Sequence, residues 1–202
     1  MQVINGLNNF RYLWVAFLSA SIAVGIFGCG RYGPPLAPEL LAPKPVVPVK
    51  ITADATGVFF SWQASSHDTR GKELKTMDGY RIYRKIIKAQ KDIVDNEILF
   101  DLISTVPDEH VRIREQLRAE ARAQGKPGRP IEAPKSALKF TFTDTAVTDG
   151  KSYLYKLLPF NQGDVEGEAR QLYLVAFAGP NSTVTKIDGA NPDSDLEATD
   201  SL

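Results

Sequence analysis

The chain contains 202 residues with 24 basic and 24 acidic side chains, so its formal net charge at neutral pH is zero. Without an excess of positive charge, the composition gives no reason to expect a nucleic acid as a partner. Cys29 is the only cysteine, which excludes an internal disulfide, so an exported domain would depend on its apolar core alone for stability.

The first 28 residues have the layout of an export signal. Arg11 is the only charged residue before Cys29, and residues 13–27 are apolar or small throughout. A positive residue followed by an apolar run is typical of a secretory signal. The sequence Ile26-Phe27-Gly28-Cys29 resembles the lipobox of bacterial lipoproteins, whose cysteine is acylated and becomes the first residue of the mature protein.

This resemblance implies a signal peptide at residues 1–28, fatty acids such as palmitate on Cys29, and attachment to a membrane. Because Gly30 rather than aspartate follows the cysteine, it also implies the outer membrane of a bacterium, with the domain facing the periplasm. Two other interpretations remain. Residues 12–28 form an uncleaved anchor, although they fall short of the ~20 residues that a bilayer core requires, or Cys29 is a buried thiol.

Residues 29–47 are predicted to form a tether between the lipid and the domain. They are rich in proline, which favours an extended polyproline spacer. A flexible tether is the alternative.

Strand-like alternation of apolar and polar residues begins after the tether. It occurs in seven segments separated by turn signals: 49–53, 58–63, 80–87, 98–106, 138–143, 153–160 and 172–177. Seven short strands with this punctuation predict a β-sandwich.

Residues 48–179 resemble the fibronectin type III family through motifs that occur in the family's order. These are a proline-led first strand at residues 48–51, a core tryptophan at Trp62, and a third strand that starts with Tyr80. They continue with a corner tyrosine, Tyr153, six residues after the apolar Val147, and end with the hairpin at residues 161–167. The resemblance implies an all-β, immunoglobulin-like (fibronectin type III) sandwich. It also implies that Trp62 fills the core and that Tyr153 bonds across the corner.

The family's domain has roughly 100 residues, so residues 88–137 are predicted to be an insertion. Within it, Thr105 and Asp108 have capping-box spacing, and Gly125 followed by Pro127 is typical of a helix end. We therefore expect a helix over about residues 106–124.

Two rows of side chains follow this predicted helix. Ile113, Leu117 and Ala121 recur at four-residue spacing and are expected to dock on the sandwich. An adjacent row is basic and is either a solvated face or a contact with membrane headgroups or an acidic partner: Arg114, Arg118 and Arg122.

Residues with typical catalytic or metal-binding chemistry are sparse. His67 and His110 have no partner at metal-ligand spacing and are expected on the surface. Asp144 and Asp149 flank a probable turn, where aspartates usually bond to the backbone rather than act as a catalytic pair. We therefore predict no catalytic residues, no metal and no cofactor.

Residues 180–202 are predicted to be a disordered acidic tail, because they contain five acids, one base and few apolar residues.

These features predict a non-catalytic, lipid-anchored envelope protein that binds or scaffolds a protein or glycan. The alternative is an accessory subunit of an envelope transport or assembly machine that is contacted through the insertion. A hydrolytic enzyme is the third hypothesis, and its site would have to be assembled from scattered carboxylates.

Overall fold

A computed structural model describes residues 37–93 and 99–188 of the chain. The predicted signal peptide, its apolar run and the acylation site Cys29 lie outside these residues. Two antiparallel sheets form a sandwich. The first sheet has the order β1-β2-β5, with β1 at Lys50–Asp54, β2 at Gly57–Gln63 and β5 at Lys139–Asp144.

The second sheet is larger and has the order β4-β3-β6-β8-β9, with β7 also paired to β6. Its strands are β3 (Gly79–Ile87), β4 (Asp101–Pro107), β6 (Ser152–Asn161), β7 (Val165–Glu166), β8 (Gln171–Ala176) and β9 (Thr183–Asp188). All seven predicted strands are present. The separation of strands 1, 2 and 5 from strands 3, 6 and 8 is that of an immunoglobulin-like sandwich, so the predicted all-β fold is confirmed.

The core lies between the sheets because strand alternation turns every second side chain inward. Val58, Phe60 and Trp62 of β2 are buried together with tyrosines from β3, β6 and β8. The rings of Trp62 and Tyr80 lie 5.3 Å apart in an edge-to-face arrangement, a favourable geometry for aromatic pairs. The predicted position of Trp62 in the core is confirmed.

The predicted tyrosine corner is also present. The backbone N–H of Thr148 donates a 2.9 Å hydrogen bond to the hydroxyl of Tyr153, and Val147 packs against the core beside it.

A buried polar group joins the two sheets. Asp144 of β5 accepts hydrogen bonds of 2.8 Å from both Arg84 of β3 and Tyr155 of β6. Burial and the neighbouring carboxylate raise the pKa of Tyr155. The carboxylate of Asp144 therefore forms its hydrogen bonds with groups of the fold itself. It also accepts a hydrogen bond from the backbone N–H of Ala146, as is usual for an aspartate in a turn.

The prediction of a disordered tail is wrong for residues 183–188, which form β9. Val184 packs against the core between the sheets, and Ile187 is 2% exposed beside Leu154 on the outer face of the second sheet. These residues are ordered despite their acidic composition, because they bury apolar side chains and pair with the free edge of β8. Residues 189–202 lie outside the described part of the chain.

The predicted insertion at 88–137 is divided by β4, which pairs with β3 throughout its length. The connection before β4 includes a 3-10 helix at Gln90–Ile93 and covers the outer face of the sheet, where Ile93 and Phe100 contact Ile87 and Leu154. The connection after β4 contains helix α1, at His110–Ala123. The helix was predicted to begin near residue 106, which is wrong because Thr105 and Pro107 belong to β4.

The predicted tether is wrong for residues 41–47, which pack on the sandwich. We call residues 37–49 the arm; it contains a 3-10 helix at Pro38–Leu41. The N–H of Lys44 bonds to the carbonyl of His67 at 2.9 Å, and the N–H of Thr69 bonds to the carbonyl of Ala42 at 3.0 Å. These long-range bonds, together with burial of Val46, make the arm part of the domain, which therefore starts before residue 48.

Within residues 37–93 and 99–188, no helix is long and apolar enough to span a bilayer.

Candidate partner-binding groove at the arm end

Because neighbouring strands are antiparallel, several connections between elements lie at the same end of the sandwich, which we call the arm end. The arm, the β2–β3 connection, helix α1 and the β6–β7 turn all lie there. The opposite end, called the far end, contains the β1–β2, β5–β6 and β8–β9 turns, where Gly179 lies against Ala55 and Asp149.

Asp108 attaches the start of helix α1 to the core. Its side chain is fully buried and accepts three hydrogen bonds: one of 2.7 Å from the hydroxyl of Tyr80, one of 2.8 Å from the N–H of His110, and one of 2.7 Å from Nδ1 of His110. Burial and the adjacent Asp108 carboxylate raise the pKa of Tyr80. The expected surface position of His110 is wrong, because this histidine is only 2% exposed. His67 is exposed, as predicted.

Of the predicted apolar row, only Ala121 is buried. The helix docks through Ala121 and Val111 and through two arginines. Arg114 Nη2 donates a 2.5 Å hydrogen bond to the carbonyl of Leu74. Arg118 contacts both carboxylate oxygens of Glu73 at 2.9 Å and the carbonyl of Ile131 at 2.8 Å. The hydrogen bond from Arg118 is the main cause of a lowered pKa at Glu73, and the charge of Arg114 acts in the same direction.

The three predicted partner-binding arginines therefore do not form one exposed row. Arg114 is 2% exposed and Arg118 is 9% exposed, so the prediction is wrong for both, because remote Glu73 and backbone carbonyls provide their partners inside the fold. Arg122 is exposed. Ile113 and Leu117 are only half-buried, since the helix turns a neighbouring face inward.

The β6–β7 turn is stabilised by Arg81 of β3. Arg81 donates a 2.7 Å hydrogen bond to Glu166, forms an ion pair with Asp164 and stacks over the ring of Phe160 at 4.4 Å. The hydrogen bond that Arg81 donates to Glu166 is the main cause of a raised pKa at Arg81.

The turn and the arm approach each other closely at Gly167. A Cβ atom at this position would lie 2.3 Å from the carbonyl oxygen of Pro43. The amide of Asn161 also donates to the carbonyl of Leu41 at 2.8 Å. Only glycine fits this contact without moving the arm, which is a use of the residue that its place in a hairpin does not reveal.

A groove runs between these elements. It consists of two adjoining cavities of about 640 Å³ and about 780 Å³ that share Lys75, Thr76 and Gln162. The first cavity lies against the helix and is also lined by Met77, Asp78, Pro107, Asp108, Glu109, Val111, Arg112 and Glu115. The second lies against the arm and is also lined by Leu41, Asp68, Arg70, Lys72, Glu73, Leu74, Asn161, Gly163 and Val165.

The groove offers charges of both signs over an apolar floor. Leu74, Met77 and Val111 are buried beneath it. Lys75 and Arg112 are exposed along it. None of the described residues that line it is aromatic.

Sequence analysis did not identify the groove or the roles of Asp108 and Glu73. Asp108 has a weak signal in its position before a helix, whereas Glu73 carries none, because its partners lie 41 and 45 residues away along the chain. Among the residues that carry the fibronectin type III resemblance, Tyr80 contributes to this end directly, since its hydroxyl bonds to Asp108 and also accepts the N–H of Ser65 at 3.1 Å.

Groups with possible reactive chemistry are dispersed. Among the residues that the structure describes, no three histidine, cysteine or acidic side chains are grouped as metal ligands. Asp144 bonds to Arg84 and Tyr155, while Asp149 is exposed in the β5–β6 turn.

Comparison with known protein families and with curated proteins finds no match for the chain. One similar solved structure is the solution structure of the third fibronectin III domain of the human KIAA0343 protein. It is 13% identical, with a TM-score of 0.37, over 76% of this chain and 96% of that domain.

Proposed function

We propose that the chain is a non-catalytic, lipid-anchored protein of the bacterial outer membrane that binds an extended segment of another envelope protein in the groove at the arm end. The observation that supports this most directly is the groove itself. It combines an apolar floor with charged walls of both signs, the mixture of contacts that fixes and orients a protein segment.

A protein partner is favoured over a glycan because the described lining residues are charged, polar and aliphatic and offer no ring on which a sugar could stack. The alternative of an accessory subunit contacted through its insertion agrees with the same site. Helix α1 provides Arg112 and Glu115 to the groove wall, and Glu109 precedes its first residue. The insertion would therefore contribute through the first turns of the helix, whereas Arg114 and Arg118 hold the helix in place.

The binding proposal is tested by photo-crosslinking in intact cells. A photoreactive amino acid replaces Gln162, which is exposed and shared by both halves of the groove. The matched control has the same amino acid at Asp149 of the far end. We expect a discrete adduct from position 162 and none from position 149. Equal adducts from both positions, or an adduct from position 149 alone, would contradict binding in the groove.

Lipid attachment is tested separately with Cys29→Ser. We expect this variant to lose incorporation of labelled fatty acid and to leave the outer-membrane fraction or accumulate as uncleaved precursor. Normal labelling of the variant would refute acylation at Cys29.

A further inference from the structure

The arm end carries exposed apolar side chains beside lysines. Leu40 is 44% exposed and Leu41 is 40% exposed. The neighbouring Lys44, Lys72 and Lys75 are also exposed, and none of them forms an ion pair with a described residue. Exposed leucines bordered by lysines match the chemistry of a membrane surface, where apolar groups enter the headgroup region and ammonium groups meet phosphates.

Two of the acids near these lysines have cationic partners inside the fold, whereas Asp78, which lines the groove beside Lys75, is exposed. Asp68 lies 2.7 Å from Arg70, and Glu73 is contacted by Arg114 and Arg118. The arm sequence itself has one acid, Glu39, and one base, Lys44. Lys72 and Lys75 together outnumber Asp78 and give this surface its positive excess.

The position of the arm along the chain brings the same surface close to the proposed lipid. Cys29 lies eight residues before Ala37, so a fully extended connection spans at most about 29 Å between their Cα atoms. The far end is displaced by the length of β6, whose 10 residues span about 30 Å. Of the two ends, the arm end is the one that the connection keeps within reach of the membrane.

We propose that the arm end rests on the membrane that holds Cys29. Leu40 and Leu41 enter the headgroup region, and Lys44, Lys72 and Lys75 contact the phosphates of anionic lipids. This inference rests on the proposed acylation of Cys29. In this orientation the arm half of the groove faces lipid, and the helix half opens sideways along the membrane. The partner segment would then come from a protein in the same membrane.

The test uses the mature, acylated full chain reconstituted into vesicles of phosphatidylethanolamine with about one quarter phosphatidylglycerol. Because acylation occupies the only native cysteine, Leu40→Cys provides a single free thiol for a fluorophore, and Asp149→Cys is the matched control at the far end. We expect brominated lipids to quench the fluorophore at position 40 and to leave the one at position 149 unquenched.

The charge contribution is tested by adding Lys72→Gln and Lys75→Gln to the Leu40→Cys protein. Each lysine near an anionic surface favours contact about fivefold, so the ratio of contacting to detached molecules should fall about 25-fold. Phosphatidylcholine vesicles and added salt should act in the same direction. Lys151→Gln at the far end is the control and should have no effect.

Each contrary result identifies a different error. A protein that fails to co-float with vesicles would refute both acylation and this inference. A co-floating protein with no quenching at position 40, or with equal quenching at positions 40 and 149, would overturn the inference and leave acylation standing. Quenching that is insensitive to both lysine substitutions and to salt would overturn the proposed contact with anionic lipid.

Discussion

The core between the sheets and the arm end are stabilised by different interactions. Apolar and aromatic side chains such as Phe60, Trp62 and Tyr80 fill the core. Helix α1 is attached at the arm end largely through charged groups that meet across long sequence separations, namely Asp108, Arg114, Arg118 and Glu73. Apolar burial is tolerant of geometry, whereas buried charges require each partner in place. The two regions should therefore respond differently to substitution.

The largest effect is expected in the core. Trp62→Ala should lower the free energy of unfolding by about 3–5 kcal/mol, through lost apolar burial and the cavity left behind. The control is Phe59→Ala, which removes a half-buried ring from the other face of the same strand and should cost less. Chemical denaturation followed by circular dichroism provides both values. Equal losses would mean that the space between the sheets is not the main core.

At the arm end, Asp108→Ala should cost about 3 kcal/mol, because it leaves the buried hydroxyl of Tyr80 and the ring of His110 without their acceptor. Hydrogen exchange should show faster exchange of the helix α1 amides and unchanged protection in the amides of β6. This pattern would show that the helix can detach while the sandwich stays folded. Loss of protection in both elements would mean that the two regions form one cooperative unit.

A smaller loss is expected at the corner of the sandwich. Tyr153→Phe removes only the hydroxyl that accepts the N–H of Thr148 and should cost about 1–3 kcal/mol. The urea midpoint should decrease while the denaturant dependence stays constant. An unchanged midpoint would show that water replaces the hydroxyl at this position.

The smallest predicted effect is the pH dependence of Glu73. Its pKa is lowered, so its contribution to stability is complete above the unfolded-state pKa, near 4.5, and is lost as pH falls through the lower folded-state value. Because the side chain is 43% exposed, the contribution should be below about 1 kcal/mol. The stability difference between wild type and Glu73→Gln should shrink as pH falls below about 4.5. A difference that stays constant with pH would contradict this assignment.

The same contrast explains which features could be predicted from the sequence. Alternation along 58–63 or 138–143 is a local property, so the strands were predictable. The position of Trp62 in the core was implied by the resemblance to the fibronectin type III family. The arm was missed because its proline content indicates a spacer, whereas its fixed position comes from bonds to residues such as His67 and Asn161 far along the chain. Strand β9 was missed because its two apolar residues, Val184 and Ile187, lie on opposite faces and form no alternation within an acidic segment.

The candidate site was less predictable for a related reason. The predicted buried row of helix α1 holds for Ala121 but not for Ile113 and Leu117. Arg114 and Arg118 are buried instead, because a long arginine side chain can pack its apolar stem and still reach a carboxylate. Only the fold brings Glu73 to Arg114 and Arg118. The row of arginines in the sequence therefore predicted a surface contact, whereas Arg114 and Arg118 form their contacts inside the fold.

The most direct test of the groove as the binding site compares two exposed arginines of the same helix. Arg112 lines the groove beside Glu109, and Arg122 is exposed outside the set of lining residues. Each is changed to alanine in the protein that carries the photoreactive amino acid at position 162, and the yield of the crosslinked partner is measured in intact cells. We expect Arg112→Ala to reduce the yield and Arg122→Ala to leave it unchanged. Equal yields from both variants, or a loss only with Arg122→Ala, would contradict partner binding in the groove.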